Sequence, residues 1–170
     1  TLATGRQNVD VVRGMVEDFS PGDSRFDMVV LSCVLHETGD SKGMLAAVRR
    51  LCHPGSIVHV NVPNAFSVHR MLAAAMGLIP EIRTPSDAQS RMQQRAFTYD
   101  LTTLEHEINE AGFSMLESGG IFVKPFTHAQ MQHLVDSGFM TDLMLEGLSK
   151  LEAWMPGMGS EIWMNAKVAE

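Results

Sequence analysis

The sequence predicts an α/β domain built on a mostly parallel sheet, and three observations lead there. Apolar runs of strand length alternate with segments of helical periodicity along the chain. One run, Met28-Val29-Val30-Leu31, is apolar without interruption, which suits a strand buried on both faces. The composition, 45% hydrophobic and 19% charged over 170 residues, is that of one globular domain with a real core.

Val9 to Arg13 reads as a short strand that Gly14 ends, and Ser20-Pro21-Gly22-Asp23 as a turn. Phe26 to Val34 is the clearest strand. Asp40 or Ser41 caps the next helix, where Met44, Leu45, Val48, Leu51 and Cys52 recur at helical spacing. His53-Pro54-Gly55 stops that helix. Ile57 to Val62 follows as a strand that Pro63 ends.

Met71 to Met76 reads as helix, broken by Gly77 and Pro80. Thr102 and Glu105 have capping-box spacing before the apolar side Leu101, Leu104, Ile108 and Ala111, with Gly112 as the helix stop. Phe113 to Glu117 is a further strand. Thr127 and Gln130 suggest a second capping box, Thr141 to Glu152 another helix, and Ser160 to Val168 the last strand. No internal repeat, linker or low-complexity segment is visible.

Charge and cysteine usage narrow the functional classes. The net charge is -7 with no run of Lys and Arg, so nucleic-acid binding through phosphates is not expected; Arg83, Arg91 and Arg95 are too sparse. Cys33 and Cys52 form no zinc spacing and read as small core side chains, which suits a cytoplasmic setting. The longest apolar run, Met71 to Pro80, is too short to span a bilayer, and no membrane partner is expected. A nucleophile elbow of the GxSxG kind is absent, which sets a hydrolase aside.

The stretch Arg25-Phe26-Asp27-Met28-Val29-Val30-Leu31-Ser32-Cys33-Val34-Leu35-His36-Glu37 resembles the fourth-strand motif of class I S-adenosylmethionine (SAM) dependent methyltransferases, which reads like FDxVxxxxVLHH. Val48-Arg49-Arg50-Leu51-Cys52-His53-Pro54-Gly55 is similar to the family's VxRLLKPGG, and Tyr99 through Gly112-Phe113 to its YTxxxLxxLLxxAGF. Val11 to Phe19 resembles the end of the third strand. Pro63 to Arg70, followed by Met76-Gly77, resembles a subgroup of small bacterial enzymes.

The resemblance implies a partial Rossmann-like methyltransferase fold, with an antiparallel C-terminal strand and helices on both faces. It implies SAM as cofactor, S-adenosylhomocysteine as product and a small-molecule acceptor. The family's Gly-rich GxGxG loop and the acidic residue after its second strand have no counterpart in these 170 residues. The chain therefore reads as a single domain lacking the first βαβ unit, truncated at its N-terminal side; Thr1 in place of Met agrees with that. The third strand would then lack a neighbour, and pairing with a second chain, a rearranged strand or poor solubility is expected. A non-catalytic α/β module is the competing reading.

Site residues follow from the same resemblance. Met15, Val16 and Glu17 match the segment flanking the adenine, with Met15 where the family usually has Asp. Ser32 and Cys33 match positions near the sulfonium, and Cys33 equally reads as a buried strand residue. His36, past the end of a buried strand, is a candidate base for an acceptor hydroxyl or a residue that packs the strand end. Glu37 is a candidate to orient His36, bind a substrate amine or cap the loop. Asn64, Ser67, His69 and Arg70 follow the fifth strand: Asn64 or Ser67 as helix caps, His69 or Arg70 as substrate contacts.

The remaining histidines carry less. His59 reads as a satisfied core residue, and His106, His128 and His133 as surface residues. The segment 122–159 is a helical insertion rich in Met, with Met131, Met140, Met144, Met155, Met158 and Trp154. It is either core or an apolar lid over a substrate pocket. No metal site is expected.

Overall fold

A computed structural model describes residues 8–85 and 98–169. In chain order the elements are β1 (Phe26–Ser32), α1 (Ser41–Leu51), β2 (Cys52–Pro63), α2 (Val68–Ala75), α3 (Leu101–Glu110), β3 (Phe113–Ile121), α4 (His128–Asp136), α5 (Asp142–Lys150) and β4 (Glu161–Val168). Short 3-10 turns occupy Val16–Asp18 and Leu151–Ala153.

The four strands form one sheet in the order β1-β2-β4-β3. β1 pairs parallel to β2, and β4 runs antiparallel to both β2 and β3. β1, β2 and β3 therefore share one direction, and only the last strand opposes them, as expected. Their carboxyl ends fall on one edge, where the β1 and β2 exits meet the start of β4.

Strand alternation decides which side chains enter the core. Leu31, Val58, Val60, Val62, Ile162, Met164 and Ala166 point to one face and are almost fully buried. There they meet Leu45 and Val48 of α1 and Leu104 and Ile108 of α3. On the opposite face Met28 and Val30 are 57% and 55% exposed, and Ile57 is 40% exposed. Among the described residues the two-sided helical covering is thus not seen over β1. No described helix is long and apolar enough to cross a membrane.

The caps show where local chemistry differs from the reading above. Asp40, not Ser41, caps α1: its Oδ1 accepts from the Gly43 amide at 2.8 Å. The capping box of α3 is Asp100 with Thr103, not Thr102 with Glu105. The Thr103 amide donates to Asp100 Oδ1, and the Asp100 amide donates to Thr103 Oγ1, each at 2.9 Å. Asp100 prevails because its carboxylate is ionic, and Arg83 reinforces it through Nε and Nη2 at 2.8 and 2.6 Å. Burial pushes the Asp100 carboxyl up, but the bonds from Thr103 and Arg83 outweigh it and leave it below its ordinary value. Asp100→Ala should cost about 1–2 kcal/mol in denaturant unfolding, and Asp100→Asn less, because asparagine still caps.

Gly112 follows α3 with φ of +80°, the left-handed position where glycine ends a helix. The Thr127–Gln130 capping box of α4 forms as expected. α2 begins at Val68, three residues before the Met71 start read from sequence. β3 runs on through Gly119 and Gly120 to Ile121, past its expected end at Glu117. Gly119 is required by packing: a Cβ there would lie 2.9 Å from Trp163 Nε1.

The expected strand Val9 to Arg13 does not form. Residues 9–13 join no sheet, and Val11 and Val12 are 70% and 67% exposed. Apolar alternation makes a strand only when a neighbour completes the ladder, and no described strand lies beside this segment. In the helical insertion, Met131 and Met140 are buried, whereas Phe139, Leu143 and Trp154 are 66%, 77% and 84% exposed.

Candidate functional site

The carboxyl edge of the parallel strands carries a polar cluster. β1 ends at Ser32, and the chain reverses at Cys33, a non-glycine residue with φ of +53°. Such a conformation costs roughly 1–2 kcal/mol unless neighbours hold it. Here the Cys33 amide donates to the Asn61 carbonyl at 3.0 Å, and Asn61 Nδ2 donates to Cys33 Sγ at 3.2 Å. Asn61 Nδ2 also donates to Glu161 Oε2 at 2.8 Å, and the Cys33 thiol points at that same oxygen, 3.6 Å away. Three strand ends are thereby tied together. Burial and the Glu161 charge push the Cys33 thiol up to about 11. Cys33 is therefore a half-buried neutral thiol at the edge, not a strand residue of the core.

A turn closed by the Glu37 amide donating to the Val34 carbonyl carries His36. The His36 side chain is 13% exposed, and its Nε2 lies 3.9 Å from Glu37 Oε1. Its Nδ1 is buried without a partner among the described residues. Burial holds His36 below its ordinary value, against the opposing pull of Glu37 and Glu161. At neutral pH the ring is therefore neutral and able to accept a proton.

His69, on α2, is the second such imidazole. Its Nδ1 also has no partner among the described residues. Burial, then the charges of Lys124 and Arg70, lower it to about 4. Lys124 follows β3 on the same edge; burial lowers it and Glu161 raises it. The Glu161 charge thus acts on His36, Cys33 and Lys124, and the Lys124 charge acts on His69.

The depressed His69 has a consequence for stability. Between its unfolded value of 6.5 and about 4, the unfolded chain binds more protons than the folded one, so stability falls as pH falls through that window. Full burial would make this about 3 kcal/mol, and the partly open ring reduces it to roughly 1–2 kcal/mol. His69→Gln should therefore lose less stability than the parent between pH 7 and pH 4.5 in urea unfolding. Equal losses would remove His69 from the explanation.

The other expected site residues have the following surroundings. Arg70 is 6% exposed, and its guanidinium donates to the Ile82 carbonyl at 2.9 and 3.1 Å and to the Thr84 carbonyl at 2.5 Å. It fastens residues 82–84 to α2. Asn64 is 1% exposed; its Nδ2 donates to the carbonyls of Gly157 and Gly159, and its Oδ1 accepts from the Phe66 amide. It clamps the approach to β4 and caps no helix. Ser67 occupies the α2 cap position without a side-chain bond.

Met15 is 58% exposed ahead of the first 3-10 turn, Val16 packs against the core, and the Glu17 backbone carbonyl accepts from Arg50 Nη2 at 3.0 Å. Glu17 Oε2 is buried without a partner among the described residues. Ser32 is exposed at the end of β1. His59 is satisfied, with Nδ1 2.7 Å from Asn165 Oδ1 and its ring stacked on Trp163. Arg91 and Arg95 lie outside the described residues. Among the described residues no group of acidic, His and Cys side chains suits a metal ion.

Glu161, Lys124 and Asn61 were not found from sequence. Asn61 alone left a local signal, an amide inside the apolar strand Val58 to Val62.

Residues 1–60 match the family model described as a methyltransferase domain. No curated protein sequence matches at a significant level. Two solved structures share the architecture over nearly all of the chain. A SAM-dependent methyltransferase from Thermotoga maritima is 14% identical, with a TM-score of 0.56 over 94% of this chain and 63% of its own. An S-adenosylmethionine dependent methyltransferase from Mesorhizobium loti is 13% identical, with a TM-score of 0.53 over 92% of this chain and 68% of its own. The chain has the class I methyltransferase fold. It spans 48% of a third similar protein, the Burkholderia thailandensis 1,6-didemethyltoxoflavin-N1-methyltransferase, at 13% identity and a TM-score of 0.48 over 91% of this chain. Within the methyltransferase fold, the polar cluster lies at the carboxyl edge of the strands, the side on which open α/β sheets bind ligands.

Proposed function

We propose that this chain forms the acceptor side of a SAM-dependent methyltransferase acting on a small molecule through an oxygen, nitrogen or carbon atom. The observation that carries the reading is the neutral, largely buried His36 at the carboxyl edge of β1, in a sheet that shares its fold with solved methyltransferases. The SAM dependence of the Thermotoga and Mesorhizobium enzymes supports the cofactor.

The residues present fit one wall of that cofactor. Glu17 Oε2 is an orphaned buried acceptor, Met15 and Ser32 are exposed, and Cys33 stands at the strand exit. Met15, Val16 and Glu17 would flank the adenine, and Ser32 and Cys33 the sulfonium. SAM, when bound, supplies an electrophilic methyl group. The chain's own residues orient the acceptor and manage its proton. His36 takes the proton from the acceptor, and Glu37 stabilises the imidazolium that results. His69, with its unpartnered Nδ1, binds the acceptor. The helical segment 122–159, with Phe139, Leu143 and Trp154 exposed, closes over the acceptor as an apolar lid.

The test is transfer of an isotope-labelled methyl group from SAM to a panel of hydroxyl- and amine-bearing small molecules. Labelled product that disappears in His36→Gln supports the reading; product formed equally by both removes His36 from it.

The open side of β1 favours a second reading, a non-catalytic module completed by another strand, including that of a second copy of this chain. β1 is an edge strand that pairs only with β2 among the described residues, and an unpaired strand edge invites pairing. A concentration-dependent dimer in analytical ultracentrifugation, with no labelled product, would favour it.

A further inference from the structure

Glu161 has no part in the site as expected from sequence, yet it stands at the centre of the polar cluster. It is the first residue of β4, and the register sets it opposite Pro63 of β2 and Ile121 of β3, on the edge where β1 also ends. Its Oε2 receives the Asn61 amide at 2.8 Å and faces the Cys33 thiol at 3.6 Å. Asn61, 7% exposed, has its Nδ2 shared between that oxygen and Cys33 Sγ. Both contacts converge on the residue with the left-handed backbone, three positions before His36.

A neutral apolar side chain at position 161 would leave the Asn61 amide with one buried partner fewer. It would also loosen the turn that carries His36, because Cys33 relaxes readily out of a strained conformation.

We propose that Glu161 is a positioning residue: through Asn61 and Cys33 it locks the left-handed turn after β1 and so sets where His36 and Glu37 stand at the edge. The importance of this placement rests on the acceptor-side reading, although the physical claim can be tested without it. The charges that act on His36 are Glu37 on its own loop and Glu161 on β4; Glu161 also acts on Cys33 at the turn and on Lys124 after β3, and Lys124 acts on His69 of α2. Removing the Glu161 charge should therefore also make His36 harder to protonate.

The experiment is heteronuclear NMR of the whole chain with no ligand added, comparing the parent, Glu161→Ala and Glu161→Gln. Glutamine keeps an oxygen for Asn61 and loses only the charge. Expected are displaced amide resonances for residues 33–37 in Glu161→Ala, their restoration in Glu161→Gln, and a lowered His36 midpoint in both. Parent-like resonances for 33–37 together with a parent-like His36 midpoint in folded Glu161→Ala would overturn the proposal.

Should Glu161→Ala fail to fold, the near-isosteric Glu161→Gln decides by peptide-mapped alkylation of Cys33 with iodoacetamide at pH 9. Loss of the neighbouring carboxylate should raise the rate about threefold or more. An unchanged rate contradicts the contact. None of these outcomes depends on SAM, so failure of the methyl-transfer reading and failure of this one remain distinguishable.

Discussion

Replacing His36 with glutamine should lower methyl transfer by about 100- to 10 000-fold, the range that a positioned general base contributes. The loss should fall on kcat more than on KM, because the imidazole acts as the proton leaves and contributes little to holding the ground state. Burial outweighs the pull of Glu37 and Glu161 and keeps the ring below 6.5. The pH profile of the parent should therefore rise below pH 6.5 and be flat above it, and that rising limb should be absent in His36→Gln. Steady-state rates between pH 5 and pH 8 check both points. A variant that keeps the parent's rate and rising limb would leave His36 as a residue that merely packs the strand end.

Truncating Phe113 to alanine should cost about 3–5 kcal/mol, the largest single loss expected in the scaffold. Phe113 opens β3, is 1% exposed and belongs to the cluster that includes Leu104, Ile108 and Ala166. The adjacent Gly112 is held by its own geometry: its carbonyl accepts from the Ala169 amide at 3.0 Å, and a Cβ would meet the Arg49 side chain at 3.0 Å. The α3 exit cannot shift easily to fill the space the ring leaves. In a domain of this size the loss corresponds to a fall in Tm of roughly 10 °C, measurable by calorimetry. Phe113→Leu, which retains most of the volume, should lose less than half as much.

The parts of this fold that can be read from sequence are those decided by neighbours along the chain. The run Met28 to Leu31 reads correctly as a strand, but not as one buried on both faces: Met28 and Val30 stay exposed because no described helix covers that side. Gly112 had to end a helix, and Thr127 with Gln130 had to start one. The misreadings have non-local causes. Val9 to Arg13 has strand composition but no described strand beside it. Asp100 outcompetes Thr102 as a cap because Arg83, distant in sequence, supports its carboxylate.

The candidate site divides in the same way. His36 and His69 stand out because each follows a strand exit. Glu161 and Lys124 do not, because their place depends on β4 and β3 lying beside β2. The final strand shows only as alternation from Ile162 onward, with nothing in the local sequence to aim Glu161 at Cys33. A groove between α1 and α3, lined by Lys42, Arg49, Glu107 and Glu110, lies on the helical face away from this chemistry. Its neighbour Glu107 serves the scaffold, accepting hydrogen bonds from Ser41 and from the Tyr99 hydroxyl.

On the proposed function, the carboxyl edge of β1 and the turn at residues 15–17 face the cofactor. Titration of the isotopically labelled chain with S-adenosylhomocysteine, followed residue by residue through its amide resonances, tests this most directly. Saturable shifts confined to residues 14–17 and 32–37 are expected. Shifts confined to the α1–α3 groove, or none at millimolar ligand, would contradict it.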